Sequence, residues 1–377
     1  MSAGERTSWP IHLGDLTVTM SGPTQWAHEQ RTVLADFLPG PIGRHDLGHL
    51  RLDVHHDDHR VEQLTSAATS RTDAHRRETI PGVTMIEVPD GPRARVLTVA
   101  VDALEGEAST HAIRITDDHI ELLIHSASRR QQRLPLRVLR EAMIRTYENA
   151  GATLLHAAGA AVDGVGIAVC GPRATGKTTT LAALLTATGG DLLSNDRLLL
   201  PPRESDAQPL VAVPLPVPLA RGTVDSVAGL RSALAQTSRP RTAPEALPDV
   251  FGSTVKAELT AREFATALGA GLTASAPLQL LIVPRLTDDD TPLTTRTLTP
   301  EEAHGVLAAN CFTPNDEFWL IPWLIPHHAG AEELGERSRC HLAVLSTAVP
   351  AVEIRFGVRN SFPALVDGLR RVLVRRI

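Results

Sequence analysis

Between about residues 10 and 135 the chain alternates short apolar runs with polar turns. LTVTM, HLRLDV, TMIEV, ARVLTVAV, HAIRI and HIELLIH carry the look of half-buried strands, and Pro89, Asp90, Gly91 and the pair Asp117, Asp118 supply turns between them. The pattern predicts an antiparallel-rich α+β domain over residues 1–135. From residue 136 the spacing changes: LRVLREAMIRTYENA places apolar positions at helical intervals and leads into a second region, residues 136–377.

That region opens with LLHAAGAAV and VGIAVCG, two apolar runs flanking Asp163 and Gly164, a pair suited to a two-residue hairpin turn. The second run feeds a glycine-rich loop. TTTLAALLTAT then reads as a helix closed by Gly189 and Gly190, and DLLSNDRLLL as a returning strand placed to lie beside the one entering the loop. Residues 201–248 are rich in proline and arginine; VAVPLPVPLA suits an edge strand or extended segment and SRPRTAPEALPD an exposed loop. TAREFATALGAG reads as a capped helix, LQLLIVPRL as a buried strand, TPEEAHGVLAANCF as a helix, VPAVEIRFG as a strand and SFPALVDGLRRVL as a last helix. The fold class expected is α/β.

Composition narrows the function. The 377 residues suffice for two domains, and a formal net charge of -6 leaves no broad basic face for a nucleic-acid backbone. The start, MSAGERTSWPIHL, lacks a positive n-region and an apolar core, and no apolar run is long enough to span a bilayer, so a soluble cytoplasmic protein is expected, without a membrane partner. Cys170, Cys311 and Cys340 have neither metal-ligand spacing nor the density of a disulfide scaffold. Only two of the 37 basic residues are lysines, Lys177 and Lys256. In so arginine-biased a chain a surviving lysine marks a place where a compact ammonium is needed, as among phosphates.

Lys177 lies in GPRATGKT, the P-loop pattern of glycine, four residues, glycine, lysine and Ser/Thr. Gly171, Pro172, Arg173, Ala174, Thr175 and Gly176 would wrap the phosphates of a nucleotide such as ATP, the glycines letting the backbone turn its N–H groups inward. The helix that starts with Lys177, Thr178 and Thr179 would add its positive end. Lys177 would reach the β- and γ-phosphates and Thr178 would place its hydroxyl on Mg²⁺. Asp196, after Ser194 and Asn195 and before Arg197, can bring a carboxylate to that metal or to an attacking hydroxyl. His156, on the strand paired with the one entering the loop, can orient or deprotonate the hydroxyl.

The ordered set of His156, a downstream glycine, a hairpin, GPRATGKT, one helix and the strand end at Asn195 and Asp196 resembles the HPr kinase/phosphorylase superfamily. That superfamily is related in its P-loop fold to phosphoenolpyruvate carboxykinase. The resemblance covers about residues 150–200; beyond it, Arg221 and Gly222 in PLARGT resemble an Arg-Gly motif of the family, and RFGVRN resembles a late Arg/Asn loop. It implies a P-loop C-terminal domain beside a smaller α+β N-terminal domain for substrate or partner recognition. It also implies MgATP-dependent transfer of a phosphoryl group to a serine hydroxyl, with the histidine and an acidic pair near the γ-phosphate. Asn195 stands where the family has the first of two aspartates, which leaves one carboxylate to serve as metal ligand or as base. The arginine-rich composition and unrelated first domain look similar to divergent members found with peptide natural-product pathways, some of which phosphorylate precursor peptides.

The acceptor expected is a serine in a peptide, or a small hydroxyl-bearing compound, with Lys256 or Arg221 as a clamp on phosphate or acceptor. Two alternatives accompany this reading. One is a nucleotide-gated binding protein, favoured by Asn195; the other is a carboxykinase-like enzyme on a small carboxylic acid, which calls for acidic and histidine ligands not found. Self-association into a homo-oligomer stays open. HHDDH, residues 55–59, reads as a solvated strand end, with alternation sending His55 and His59 one way and His56 the other. His327 and His328 follow IPWLIP with no identifiable partner, and Trp9, Trp26, Trp319 and Trp323 read as packing residues.

Overall fold

The computed structural model describes residues 5–38, 40–43, 46–102, 111–126, 133–203, 207–236, 243–316 and 320–374; Trp319 and part of the SRPRTAPEALPD segment lie outside them. The chain is mixed α/β and forms two compact units. One comprises Met1–Ala35, Pro41–Asn149 and Pro314–Ala331; the other comprises Asp36–Gly40, Ala150–Thr313 and Glu332–Ile377.

In the first unit β1 (Arg6–Leu13), β2 (Leu16–Pro23), β3 (His49–His56), β4 (His75–Ile80), β5 (Val83–Pro89), β6 (Arg95–Asp102), β7 (His111–Ile115) and β8 (His119–Ile124) build one sheet. Its order is β1-β2-β3-β8-β7-β6-β5-β4. β3 pairs in parallel with β2 and β8, and the other neighbours pair antiparallel. All six apolar runs read as strands lie in this sheet. Helices α1 (Thr24–Ala35) and α2 (Asp58–Ser70) were not legible in the pattern, since each buries only two or three side chains.

HHDDH is not a continuous strand. His55 and His56 end β3, Asp57 caps α2 by accepting from the Arg60 amide at 3.0 Å, and His59 sits within the helix. Trp9 and Trp26 pack against each other with ring centroids 6.2 Å apart, and Trp323 is buried.

Helix α3 (Leu134–Asn149) belongs to this unit, so the observed grouping differs from a division at residue 135. The Asp15 amide donates to the Tyr147 hydroxyl at 2.9 Å, and Asn149 donates to the Pro326 carbonyl at 2.9 Å. The helix is buried on nearly every side, including its charges: the Arg145 Nε donates to Glu141 at 3.2 Å and Arg145 also bonds Glu148. His327 has a partner after all, with Nε2 2.8 Å from Glu148 Oε2.

The second unit holds β9 (Thr153–Leu155), β10 (Ala157–Val162), β11 (Val165–Cys170), α4 (Lys177–Thr188), β12 (Asp191–Ser194), β13 (Leu198–Leu200), β14 (Gln208–Ala212) and β15 (Val217–Leu219). These are followed by α5 (Arg221–Ser226), α6 (Leu230–Gln236), β16 (Ala257–Leu259), α7 (Ala261–Ala267), β17 (Ser275–Thr287), β18 (Thr294–Thr297), α8 (Pro300–Ala309), α9 (Ala331–Ala348), β19 (Ala351–Gly357) and α10 (Phe362–Val374). The main sheet runs β12-β10-β11-β17-β14-β13-β9. β17 is long enough to change partner: Ser275–Leu278 pairs antiparallel with β14, and Leu281–Thr287 pairs in parallel with β19, which carries β18 on its far side.

β10 and β11 form the expected hairpin, with Asp163 at φ 50° and Gly164 at φ 80° between the paired Val162 and Val165. Gly189, at φ 66°, ends α4 with its amide on the Leu185 carbonyl. Capping boxes start α7 (Thr260 with Glu263) and α8 (Thr299 with Glu302).

The structure differs from the sequence reading in three further places. DLLSNDRLLL is two strands broken at residues 195–197, and β12 is separated from β11 by β10. Of VAVPLPVPLA, Val211 and Ala212 end β14, an inner strand between β17 and β13, while Val217–Leu219 form β15, paired with β16 in a separate two-stranded sheet. Helix α9 went unread because its inward stripe is Leu334, Ser338, Leu342, Leu345 and Ser346, too narrow and too polar to stand out. Among the described residues no helix is long and apolar enough to cross a membrane.

Candidate functional site

The glycine-rich loop leaves the C-terminal end of β11, wraps from Gly171 to Gly176 and enters α4. Its curvature needs two left-handed residues, Ala174 at φ 63° and Gly176 at φ 94°. Position 176 admits no side chain: a Cβ there would come within 2.2 Å of Leu286 Cδ1 on β17, whose amide donates to the Thr175 carbonyl at 3.1 Å. A Gly176→Ala chain should therefore lose about 1–3 kcal/mol of stability in thermal denaturation. Adding Leu286→Ala should recover the steric part of that loss but not the backbone part.

The first amide of α4 with a backbone acceptor among the described residues is that of Thr180, donating to the Gly176 carbonyl at 2.9 Å. The amides of Lys177, Thr178 and Thr179 thus stand at a helix N-terminus where an anion is favoured. Lys177 is buried and its Nζ donates to the carbonyls of Gly171 at 2.8 Å and Pro172 at 3.1 Å. Burial lowers its pKa, opposed mainly by the nearby Asp196 carboxylate. Thr175 donates to the Pro172 carbonyl at 2.9 Å, and Thr179 shares a 3.0 Å hydroxyl contact with Thr223.

The breaks in the strands bring the other residues here. Leu155 pairs with Leu198, and Gly159 with Ser194, so one register runs through both ends of an antiparallel ladder. The ladder is open at His156, between β9 and β10, and at Asn195, Asp196 and Arg197, between β12 and β13. His156 lies one step beyond the paired Ala157 and Cys170, level with the start of the glycine-rich loop.

Across the opening, His156 Nε2 and Asp196 Oδ1 are 3.0 Å apart, and Arg197 donates to Asp196 Oδ2 at 3.3 Å. Burial would raise the Asp196 pKa, but the His156 bond, Arg197 and Lys177 hold it well below the usual carboxylate range. Asn195, buried, accepts the Thr178 hydroxyl at 3.0 Å.

Sequence reasoning missed the layer behind these groups. The Phe312 ring stacks on His156 with centroids 5.0 Å apart and 15° between planes, and the Arg197 guanidinium lies 5.1 Å from the Phe312 centroid. Backbone contacts fix the pairing: the His156 amide donates to the Asn310 carbonyl at 2.8 Å and the Phe312 amide to the Leu154 carbonyl at 2.8 Å. The residues after α8 carry no motif, so only their spatial return exposes them. Cys170 sits behind the loop as a neutral thiol, its pKa pushed by burial up to about 12.

Of the two expected clamps, the structure brings Lys256 toward the site and commits Arg221 elsewhere. Lys256, just before β16, interacts electrostatically with Asp196, Lys177 and Arg173. Arg221 is ion-paired with Asp225 at 2.8 Å and reaches the Leu247 carbonyl at 3.4 Å.

The residues present suit a nucleotide with its metal: a loop too tight for a side chain at Gly176, a helix N-terminus, a buried lysine, a hydroxyl at Thr178 and an ionised carboxylate at Asp196. No family model matches this chain, and no curated protein matches it. Among solved structures, the Hpr(Ser) kinase/phosphatase from Coxiella burnetii is similar at 12% identity, over 59% of this chain and 97% of that one, with a TM-score of 0.27. At that TM-score the likeness carries no weight, and any functional conclusion rests on the residues of this chain.

Proposed function

We propose that the chain is an ATP-dependent phosphotransferase of the HPr kinase-like P-loop type, acting on a serine-type hydroxyl of a peptide or small acceptor. The observation that carries this is the 3.0 Å contact between His156 and an ionised Asp196 at the mouth of a loop whose lysine acts electrostatically on the same carboxylate. ATP supplies the transferable phosphoryl group, and Mg²⁺ screens its charge.

Residues 171–179, apart from Pro172, which has no N–H, would hold the phosphates through backbone amides, and the Lys177 ammonium would neutralise charge beside them. Thr178 and Asp196 would hold the metal. Asp196, its Oδ1 fixed by His156 and its Oδ2 by Arg197, can instead take the acceptor proton, with His156 orienting the hydroxyl. Phosphoryl transfer depends mostly on such positioning and charge stabilisation, so a single carboxylate is compatible with the chemistry.

The reading is tested by incubating the protein with γ-labelled ATP and pools of serine, threonine and serine peptides, followed by mass spectrometry. Lys177→Ala should cut labelled acceptor by about 10²-fold or more. A second reading, a nucleotide-gated binding protein, draws on Asn195 being tied to Thr178 where a second carboxylate would serve a kinase. Tight ATP binding with no acceptor labelled in any pool would establish it over the first.

A further inference from the structure

The segment that leads into β16 makes an unusual surface beside the site. Val250, Phe251 and Val255 are 65%, 42% and 46% exposed, so three of the seven most exposed large apolar side chains among the described residues fall within six positions. Isolated apolar residues at a surface are ordinary, whereas a cluster marks a place where something binds.

This cluster is held in a defined shape. The Ser253 amide donates to the Val250 carbonyl at 3.2 Å, the Val255 amide donates to Ser253 Oγ at 3.2 Å, and Gly252 takes φ 77°. It also abuts the glycine-rich loop, because the Cβ direction of Gly252 points to Ala174 Cβ at 3.8 Å. Lys256 follows directly. It is exposed, makes no hydrogen bond or ion pair among the described residues, and feels the charges of Asp196 and Arg173.

We infer that Val250–Lys256 is the docking element for a peptide acceptor that carries an apolar side chain next to its hydroxyl-bearing residue and a carboxylate close by. The inference rests on the phosphotransferase reading. Two observations choose an acceptor over the nucleotide base as the occupant. The cluster abuts Ala174 of the glycine-rich loop through Gly252, and Lys256 at its end feels the Asp196 carboxylate, so it borders the phosphate end of the site, where an acceptor would approach. Lys256, exposed and without an ion-pair partner among the described residues, complements a carboxylate on the peptide. Phe251 and Val255 would cover the apolar side chain, and Lys256 would pair with the carboxylate.

The test uses the full chain with MgADP and fluorescein-labelled peptides bearing one serine in a Gly/Asn background. Each peptide has Leu or Asn beside the serine, and Glu, Gln or Lys two positions further on. Anisotropy titration should show the Leu/Glu peptide binding at least about tenfold tighter than the Asn/Lys peptide. Phe251→Ser and Val255→Ser should remove the preference for Leu while leaving MgATP affinity within about twofold, and Lys256→Glu should invert the preference between Glu and Lys. Equal binding of all peptides overturns the inference. So does a Phe251→Ser chain that loses MgATP affinity and keeps peptide selectivity, which would assign the segment to the base. Phosphorylation of the same peptides is read separately: selective binding without transfer sinks the kinase reading alone, and transfer indifferent to flanking residues sinks the docking element alone.

Discussion

Asp196→Asn should lower phosphoryl transfer by about 10²–10⁴-fold, the range contributed by a positioned proton acceptor. The substitution keeps the side-chain volume and one hydrogen-bonding oxygen, so the His156 contact at 3.0 Å survives in form while the negative charge is lost. Single-turnover kinetics over a range of Mg²⁺ separate the two duties open to this residue. A rate that falls with an unchanged Mg²⁺ dependence assigns Asp196 as base. A rate restored by higher Mg²⁺ assigns it as metal ligand. Transfer within a few-fold of wild type would remove Asp196 from the chemistry altogether, and with it the central support for the proposed function.

The largest effect on stability is expected far from that chemistry. Arg145→Met should destabilise the chain by about 3–5 kcal/mol in denaturant unfolding, because it strands buried carboxylates at Glu141 and Glu148. Arg145 also feels the charge of Asp316, itself buried, while Glu148 keeps His327 at 2.8 Å and Glu141 keeps the Trp323 amide at 3.3 Å, which sets the expected loss by charge imbalance and not by the removal of every partner. The cost comes from unpaired buried charge, not from lost packing. The triple replacement Glu141→Leu, Arg145→Met, Glu148→Leu should therefore recover most of the loss. A triple variant as unstable as the single one would show that helix α3 depends on the ion cluster for its position.

These two sites differ in how far the sequence discloses them. The glycine-rich loop is legible because its constraints are local: glycines for curvature, a lysine and a hydroxyl at fixed offsets, a strand before and a helix after. Most strands are legible for the same reason, since apolar runs between turn residues need no partner to be recognised. The opening at residues 195–197 was hidden within a run that reads as one strand, and only the pairing of β12 with β10 and of β13 with β9 shows it. Phe312 and the cluster around Arg145 rest on contacts between distant segments, which neither spacing nor composition records. Helix α9 was lost through two serines on its buried stripe, where packing outweighs the apolar pattern.

The open ladder carries one more consequence, for how the spacing of the site is kept. Leu155 against Leu198 on one side and Gly159 against Ser194 on the other belong to a single register. Just past Gly159 the register moves by one residue, so that Ala160 faces Leu192, and the offset that spans His156 and Asp196 ends there. The leucines that keep it, Leu154 against Leu199 and Leu155 against Leu198, are fully buried. The reach from imidazole to carboxylate is thus gauged by side chains of the core, apart from the rim that meets an acceptor.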